Sequence, residues 1–255
     1  MESLRLEIES LGPKARTLVI SSIFASLLMA LRVVPTFPVI GLPGGRFSAS
    51  DVILPLYGVL LGPLQGTIVV VLGTVLGFVA KPPAFLFLDF LPPAANTLIV
   101  GLLYRKRTWP ALLVYMLALL AFLLGPFTLV FVRIGLFGSE FDVPFHWLHL
   151  VAIPIALVLT RLDAAGEKAE RITWKRFSGC ALLGTMGQHS TGSLLFQCVL
   201  GFTGSLSREG FVALWHAVFW VYPVERVILV LVGTLVGVPV VRVLTGAFEN
   251  RQKPS

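Results

Sequence analysis

Residues 177–201 read FSGCALLGTMGQHSTGSLLFQCVLG, a membrane-length apolar segment that contains no Asp, Glu, Lys or Arg. Polar side chains are nevertheless set inside it, and Thr185, His189, Ser193 and Gln197 recur at every fourth position. On a helix, residues with this spacing form one slowly drifting stripe. An unpaired polar group in hydrocarbon costs several kcal/mol, so such a stripe normally faces a partner, a cavity or a ligand. The segment therefore predicts a helix bundle that holds a polar solute.

The rest of the chain shares the apolar character of this segment. Its 255 residues are 56% apolar and only 13% charged, with a mean hydropathy of +0.89. Soluble domains carry about 25% charged residues. We therefore predict an all-α, polytopic membrane helix bundle over residues 17–245, with six to eight transmembrane helices and polar tails at 1–16 and 246–255. The candidate spans are 17–34, 47–62, 64–80, 85–103, 110–132, 145–160, 177–201 and 224–245.

The distribution of basic residues predicts the orientation of the bundle. Fourteen of the 20 Lys and Arg residues lie in or beside the two tails and the 104–109 and 161–176 loops. By the positive-inside rule, these segments face the cytoplasm, which requires an even number of crossings of the cell membrane. Nucleic-acid binding is disfavoured, because the basic residues follow this topology and form no stripe among aromatic residues.

Interruptions rich in Pro and Gly predict where a binding site lies. They occupy 35–46, 82–93 and 202–223, and under this topology all three lie at the outer face. Irregular backbone at membrane depth is tolerated where it is buried in protein or lines a wet cavity. We therefore expect an outer-facing site, with 35–46 as a loop and Pro223 as the end of an aromatic segment over 211–222.

The aromatic segment and the start of the last span read FVALWHAVFWVYPVER over residues 211–226. Trp215, Phe219, Tyr222 and Arg226 are spaced four, three and four apart, which gives an aromatic wall that ends in a charge. Stacking plus one cation or carboxylate is a common way to bind a heterocycle. Trp215, Tyr222 and Glu225 are therefore candidate substrate contacts. An interfacial aromatic belt with a Glu225–Arg226 ion pair is the alternative.

Further candidate substrate contacts are Arg46, Asn96, His189 and Gln197. Arg46 and Asp51 face outward near the second helix, which Ser48 or Ser50 can cap, with Asp51 in its first turn. Asn96 either bonds another helix or contacts the ligand, and His189 is either a packing residue or a ligand contact. On the first span, Ser22, Ser26 and Ala30 recur every fourth residue, which suits close helix packing within the chain or docking of a partner subunit.

Residues 17–103 resemble the substrate-binding S components of energy-coupling factor (ECF) transporters. The similar features are the small residues of the first helix, the outer loop, FSASDVILPLYG at 47–58 and LGPLQG at 61–66. The stretch VYPVER at 221–226 is similar to the outer end of the last helix in some members. The resemblance implies an importer subunit with an outward-facing site for a vitamin-like or cofactor-precursor small molecule. It also implies a transmembrane coupling subunit and two cytoplasmic ATPases as partners, docked on Ser22, Ser26 and Ala30.

The chemistry predicted from the sequence is therefore binding and transport rather than catalysis. No metal cluster or cofactor motif is visible, and the first histidine is His146, whereas metal-transporting relatives place a His beside the initiator Met. A stand-alone secondary transporter or channel for a small polar solute is the main alternative. Its weakness is that Asp51, Asp89 and Glu225 all fall near the predicted interfaces. An intramembrane hydrolase built on His189 and Ser193 is the third possibility, and it lacks a nearby acid.

Overall fold

A computed structural model of the protein describes residues 12–42, 44–136, 138–164 and 173–249. These residues form eight helices: α1 Pro13–Arg32, α2 Ser50–Leu61, α3 Pro63–Gly77, α4 Leu91–Tyr104, α5 Thr108–Leu123, α6 Trp147–Ala164, α7 Trp174–Phe202 and α8 Arg208–Glu249. The predicted tails and the 161–176 loop lie partly outside the described residues, at 1–11, 250–255 and 165–172.

The predicted all-α class is confirmed for the described residues, whose sheet content is limited to two short antiparallel hairpins. The first pairs β1 (Pro35–Pro38) with β2 (Arg46–Ser48), so the predicted 35–46 loop is an irregular hairpin. The second pairs β3 (Phe131–Leu136) with β4 (Ser139–Pro144) in a regular register from Phe131↔Pro144 to Leu136↔Ser139. Both hairpins connect helices and leave the helical bundle as the core.

The fifth span is shorter than predicted. Residues 110–132 were expected to form one helix, but α5 ends at Leu123 and residues from 131 onward belong to β3. After the C-cap residue Leu124 come Gly125 and Pro126. Proline has no N–H to donate and disfavours helical geometry at the residue before it, so the helix stops here despite the apolar run that continues beyond it.

Helix α7, which contains the polar stripe, is the central helix of the bundle. It packs against α4, α5, α6 and α8. Close approach to α4 depends on small residues, because a Cβ at Gly184 would lie 2.9 Å from the Asn96 Oδ1 atom. Thr185, His189, Ser193 and Gln197 are all buried. The prediction that the stripe faces the bundle interior is therefore confirmed.

The last helix is longer than predicted. Pro223 was expected to end the aromatic segment, but α8 runs through both Pro223 and Pro239. Tertiary packing accounts for the continuity at Pro223, because the neighbouring Tyr222 ring stacks on Phe145 with centroids 5.3 Å apart. Proline removes one intrahelical hydrogen bond, and packing on both sides of it keeps the helical path.

Two helices, Lys14–Arg32 and Arg208–Leu244, are long and apolar enough to cross a membrane. Five more apolar helices are shorter than this, and α7 is long enough but carries the polar stripe. Many large apolar side chains point outward, such as Leu64 at 73% and Leu124 at 78% exposure. This composition is that of a membrane-associated chain.

Basic side chains mark one end of the bundle. The Arg176 guanidinium donates a 2.7 Å hydrogen bond to the Tyr104 carbonyl, which joins the start of α7 to the end of α4. Arg242, near the end of α8, lies 5.7 Å from the Trp174 ring centroid. The end of α4, the start of α7 and the last part of α8 therefore meet at this end, and the β1–β2 hairpin and the 78–90 connection lie at the other.

Candidate functional site

A cavity of about 470 Å³ lies at the end of the bundle away from these basic side chains. It is lined by the β1–β2 hairpin, residues 81–93, the middle of α7 and the first half of α8. Small-molecule sites typically have volumes of about 300–1,000 Å³. Of the predicted contact residues, Arg46, His189, Trp215, Tyr222 and Glu225 line the cavity, and Asn96 and Gln197 do not.

One wall of the cavity is aromatic, as the spacing on α8 indicated. Trp215 and Tyr222 both line it, and their polar atoms are already used by the protein. The indole Nε1 donates to the Phe127 carbonyl over 2.7 Å, and the Tyr222 hydroxyl donates to the Phe145 carbonyl over 2.8 Å. These two residues therefore offer ring surface to a ligand rather than hydrogen bonds.

His189 supplies hydrogen-bonding capacity beside this wall. Its ring stacks on Tyr222 with centroids 4.8 Å apart and an interplanar angle of 11°. Its Nδ1 atom lies 3.0 Å from Nε2 of His149, so one ring nitrogen of each histidine is paired. The His189 Nε2 atom and the Ser193 hydroxyl have no hydrogen-bond partner among the described residues, and both side chains line the cavity. A ligand can therefore use both groups.

Asn96 belongs to a polar network behind the cavity. Its amide donates to Gln188 Oε1 over 2.7 Å, and Gln188 Nε2 donates to Asp51 Oδ1 over 2.7 Å. The second Asp51 oxygen accepts the Ser48 N–H at 3.0 Å, and no side chain caps α2. The expected cap by Ser48 or Ser50 is thus replaced by a bond from Asp51 back to the hairpin. Of the two roles open for Asn96, the structure supports helix–helix hydrogen bonding.

Gln197 holds a turn in place. Its Nε2 atom donates to the Phe122 carbonyl over 3.2 Å, and its Oε1 atom accepts the Phe127 N–H and the Thr128 hydroxyl, each at 3.0 Å. The side chain is completely buried. The structure therefore uses Gln197 to fix the turn after α5, whose Phe127 carbonyl in turn accepts the Trp215 indole bond.

Four basic side chains line the cavity: Arg32, Arg46, Lys81 and Arg226. Arg226 is 1% exposed, and among the described residues its Nε atom has no hydrogen-bond partner; the same holds for the buried Nε atom of Arg32. Lys81, in the loop after α3, donates to the Arg46 carbonyl over 2.6 Å. Burial, with a further contribution from the charge of Arg32, lowers the pKa of the Lys81 ammonium.

Three acidic side chains line the same cavity, and two of them are fully used by the protein. Asp51 bonds Ser48 and Gln188, and Asp89 accepts the backbone N–H groups of residues 84 and 85 at 2.8 and 2.9 Å. Glu225 contacts Arg226 at 3.4 Å, which is the one ion pair found in the lining among the described residues. The Asp89 carboxylate therefore holds the backbone of the 81–93 segment in place beside Lys81, in addition to lying near the predicted membrane interface.

The candidate contacts from the sequence did not include several residues of the lining. The four, three, four spacing on α8 includes Arg226 and so indicates that it shares a face with Trp215 and Tyr222, but the predicted substrate contact was its neighbour Glu225. Arg32 and Lys81 follow apolar helices, where a basic residue also fits an ordinary interface position. Their convergence on one cavity depends on how α1 and α3 pack, which no local pattern reveals.

Ser22, Ser26 and Ala30 lie on an exposed face of α1, whereas Ala25 and Leu28 of the same helix are buried. Packing within the chain therefore does not use the predicted small-residue face in the described residues. Its role as a docking face for a partner subunit stays a prediction.

Among the described residues, no group of three or more His, Cys, Asp and Glu side chains is arranged to hold a metal ion. Comparisons with protein-family models, with curated proteins and with solved structures give no match for this chain. The arrangement of the cavity is therefore the main basis for a functional proposal.

Proposed function

We propose that this protein is a multi-pass cell-membrane subunit that binds a small vitamin-like or cofactor-precursor molecule at the outer face for import. In this proposal it is the S component of an ECF-type ABC importer, and it works with a transmembrane coupling subunit and two cytoplasmic ATPases. Both termini are cytoplasmic, and the lipid bilayer surrounds six to eight crossings.

The observation that carries this proposal is the cavity of about 470 Å³ at one end of the bundle. Ring surface from Trp215 and Tyr222, hydrogen-bonding groups on His189 and Ser193 that have no partner among the described residues, and the charge of Arg226 all meet there. A few convergent polar groups in a mainly apolar pocket are typical of a small-molecule site. The site is suited to binding, because the acidic side chains it contains are engaged with protein donors.

The two ends of the bundle support the proposed orientation. Basic residues near Tyr104, Trp174 and Arg242 share the end that the positive-inside rule assigns to the cytoplasm. The cavity lies at the opposite end, where it would open to the outside. The outward-pointing apolar side chains would contact lipid. Several helices are short, since the 12 residues of α2 rise only about 18 Å against a hydrocarbon core of about 30 Å.

A reconstitution experiment tests this function. The full chain is purified, and the small molecules that it retains are identified by mass spectrometry. Proteoliposomes are then prepared with the chain alone and with the coupling subunit and both ATPases. We expect the retained compound to accumulate only when the complete module and ATP are present. Failure to retain or accumulate any small molecule, alone or with the module, would contradict the proposal.

The docking face on α1 is tested separately by adding bulk. Ser22→Leu, Ser26→Leu and Ala30→Leu together should prevent co-purification of the coupling subunit, because small residues permit close helix approach. Substrate binding by the isolated chain should not change, since none of these residues lines the cavity. Leu113→Trp, at an exposed position on α5, is the matched control and should leave the complex intact.

A stand-alone secondary transporter is the second candidate, and one observation favours it. His146, His149 and His189 lie together inside the bundle, and both ring nitrogens of His146 are buried without a hydrogen-bond partner in the part of the chain that the structure describes. Buried ionisable residues of this kind occur in proton relays of transporters. Uptake that is driven by a proton gradient without any ATPase, and abolished by His149→Gln, would select this candidate.

A further inference from the structure

We propose that the ligand of the cavity is a planar organic anion, with its ring against the aromatic wall and its carboxylate or phosphate group on Arg226. This inference rests on the proposed binding function and specifies its substrate class. The aromatic wall is formed by Trp215 and Tyr222, and Phe47 lies beside Arg226 with the guanidinium 4.8 Å from its ring centroid.

Arg226 is the first observation behind this inference. A guanidinium carries five N–H donors, yet among the described residues the only hydrogen bond from the Arg226 side chain is the 3.4 Å contact with Glu225. The side chain is 1% exposed and lines the cavity. Buried charges are normally paired and hydrogen-bonded, because an isolated one is costly. An anionic ligand would supply the missing acceptors, in the bidentate geometry that Arg favours.

The balance of charge around the cavity is the second observation. Arg32, Arg46, Lys81 and Arg226 face three carboxylates, which leaves one positive charge in excess. Asp51 interacts electrostatically with both Arg32 and Arg226, but its two oxygens are already hydrogen-bonded to Ser48 and Gln188. The lining therefore has more unsatisfied donors than unsatisfied acceptors, which favours a negative ligand group.

Glu225 permits a test in which the two signs of ligand charge give opposite results. It is 3.4 Å from Arg226 and lines the same cavity. If the ligand is an anion, Glu225 repels it and competes with it for Arg226. If the ligand is a cation, Glu225 is its natural partner. Glu225→Gln should therefore strengthen the binding of an anion and weaken the binding of a cation.

The probes are three compounds of nearly equal size: quinoline-3-carboxylate, quinoline-3-carboxamide and quinolin-3-ylmethanamine. Their dissociation constants are measured by titration calorimetry on the purified full-length protein in nanodiscs, with empty nanodiscs as the blank. We expect the carboxylate to bind about 30-fold more tightly than the amide, or tighter still, and the amine to bind most weakly. Glu225→Gln should tighten the carboxylate roughly fivefold, because a nearby like charge is removed.

Arg226→Gln should weaken the carboxylate about 30-fold or more, to the level of the amide, because a buried charged hydrogen-bonding partner is lost. Arg226→Lys keeps the positive charge but lacks the planar guanidinium group, so it should give an intermediate loss of carboxylate affinity. This variant replaces Arg226→Gln in the test if Arg226→Gln does not fold. Arg133→Gln is the matched control, since Arg133 is 66% exposed on the β3–β4 hairpin and outside the cavity. This variant should leave the dissociation constants of all three probes unchanged.

Three results would overturn the inference. Amide or amine binding as tight as that of the carboxylate, lost on Trp215→Ala, would leave the binding function standing and refute the anionic class. Weaker carboxylate binding in Glu225→Gln would do the same. If none of the three probes binds, both the anion inference and the assignment of this cavity as the binding site fail.

Discussion

Replacing Gln197 by Ala tests whether this residue of the polar stripe serves the fold or the ligand. The sequence made it a candidate substrate contact, and the structure gives it hydrogen bonds to Phe122, Phe127 and Thr128 instead. Its side chain is completely buried. We therefore expect Gln197→Ala to lower stability strongly and to leave the intrinsic ligand affinity of the folded protein nearly unchanged.

The magnitude follows from the bonds that are lost. Hydrogen bonds inside membrane proteins average about 0.6 kcal/mol each, so three of them give a lower limit of about 2 kcal/mol. The Phe127 N–H is left without its acceptor, which adds about 1–3 kcal/mol if water cannot reach it. The expected loss is therefore about 2–5 kcal/mol. At about 2–4 °C per kcal/mol for a chain near this size, the Tm falls by about 4–20 °C.

The assay is thermal unfolding of the purified protein in one detergent, followed by ligand titration well below the Tm. Gln65→Ala is the matched control, because Gln65 makes a single side-chain hydrogen bond of 3.1 Å, to the Ser21 hydroxyl. Its Tm should fall by about 3 °C at most. An unchanged Tm for Gln197→Ala together with a tenfold loss of affinity would refute the reasoning and make Gln197 a ligand contact.

Two other predictions follow from the same packing. Quinoline-3-carboxylate should quench the fluorescence of Trp215, so the Trp215→Phe variant should lose most of this quenching. The control is Trp220→Phe, which should keep the quenching because Trp220 is 63% exposed and lies outside the cavity. Equal quenching in both variants would place the ligand elsewhere. Gly73→Ala should lower the Tm, because the new Cβ would lie 2.7 Å from the Ala25 carbonyl oxygen. Such overpacking costs about 1–3 kcal/mol, which exceeds the gain of up to about 1 kcal/mol from the higher helix propensity of Ala. Gly192→Ala, whose nearest neighbour is 3.8 Å away, should keep or raise the Tm, and a similar fall in both variants would contradict the packing argument.

Periodicity predicted the parts of the fold that depend on one helix at a time. The four-residue spacing of His189 and Ser193 correctly indicated the buried face of α7. The spacing of Trp215 and Tyr222 on α8 likewise indicated residues that share one wall of the cavity. A stripe on a helix is a local property, and the cost of exposing its polar groups to hydrocarbon is sufficient to turn it inward.

Local pattern could not predict which polar groups would satisfy one another across the bundle. The Asn96–Gln188 bond joins residues 92 positions apart, and the Gln197 bonds reach two backbone groups and one hydroxyl 69 to 75 positions away. Their geometry depends on how α4, α5 and α7 pack. Pro223 misled for the same reason, because packing around Tyr222 maintains a helix that proline would otherwise interrupt.

The polar stripe of α7 therefore divides into parts with different roles. Gln188, one position before His189, holds α2 and α4 together, and Gln197 fixes the turn after α5. Between these two levels, His189 and Ser193 keep hydrogen-bonding groups without a partner among the described residues, and these groups face the same cavity as Arg226, whose one hydrogen bond there is to Glu225. Because the Arg226 Nε atom also has no acceptor in the described part of the chain, the cavity has a deficit of hydrogen-bond acceptors beside Arg226. Binding of an anionic ring compound would remove that deficit, so the same contacts that order the bundle also leave one defined position for its ligand.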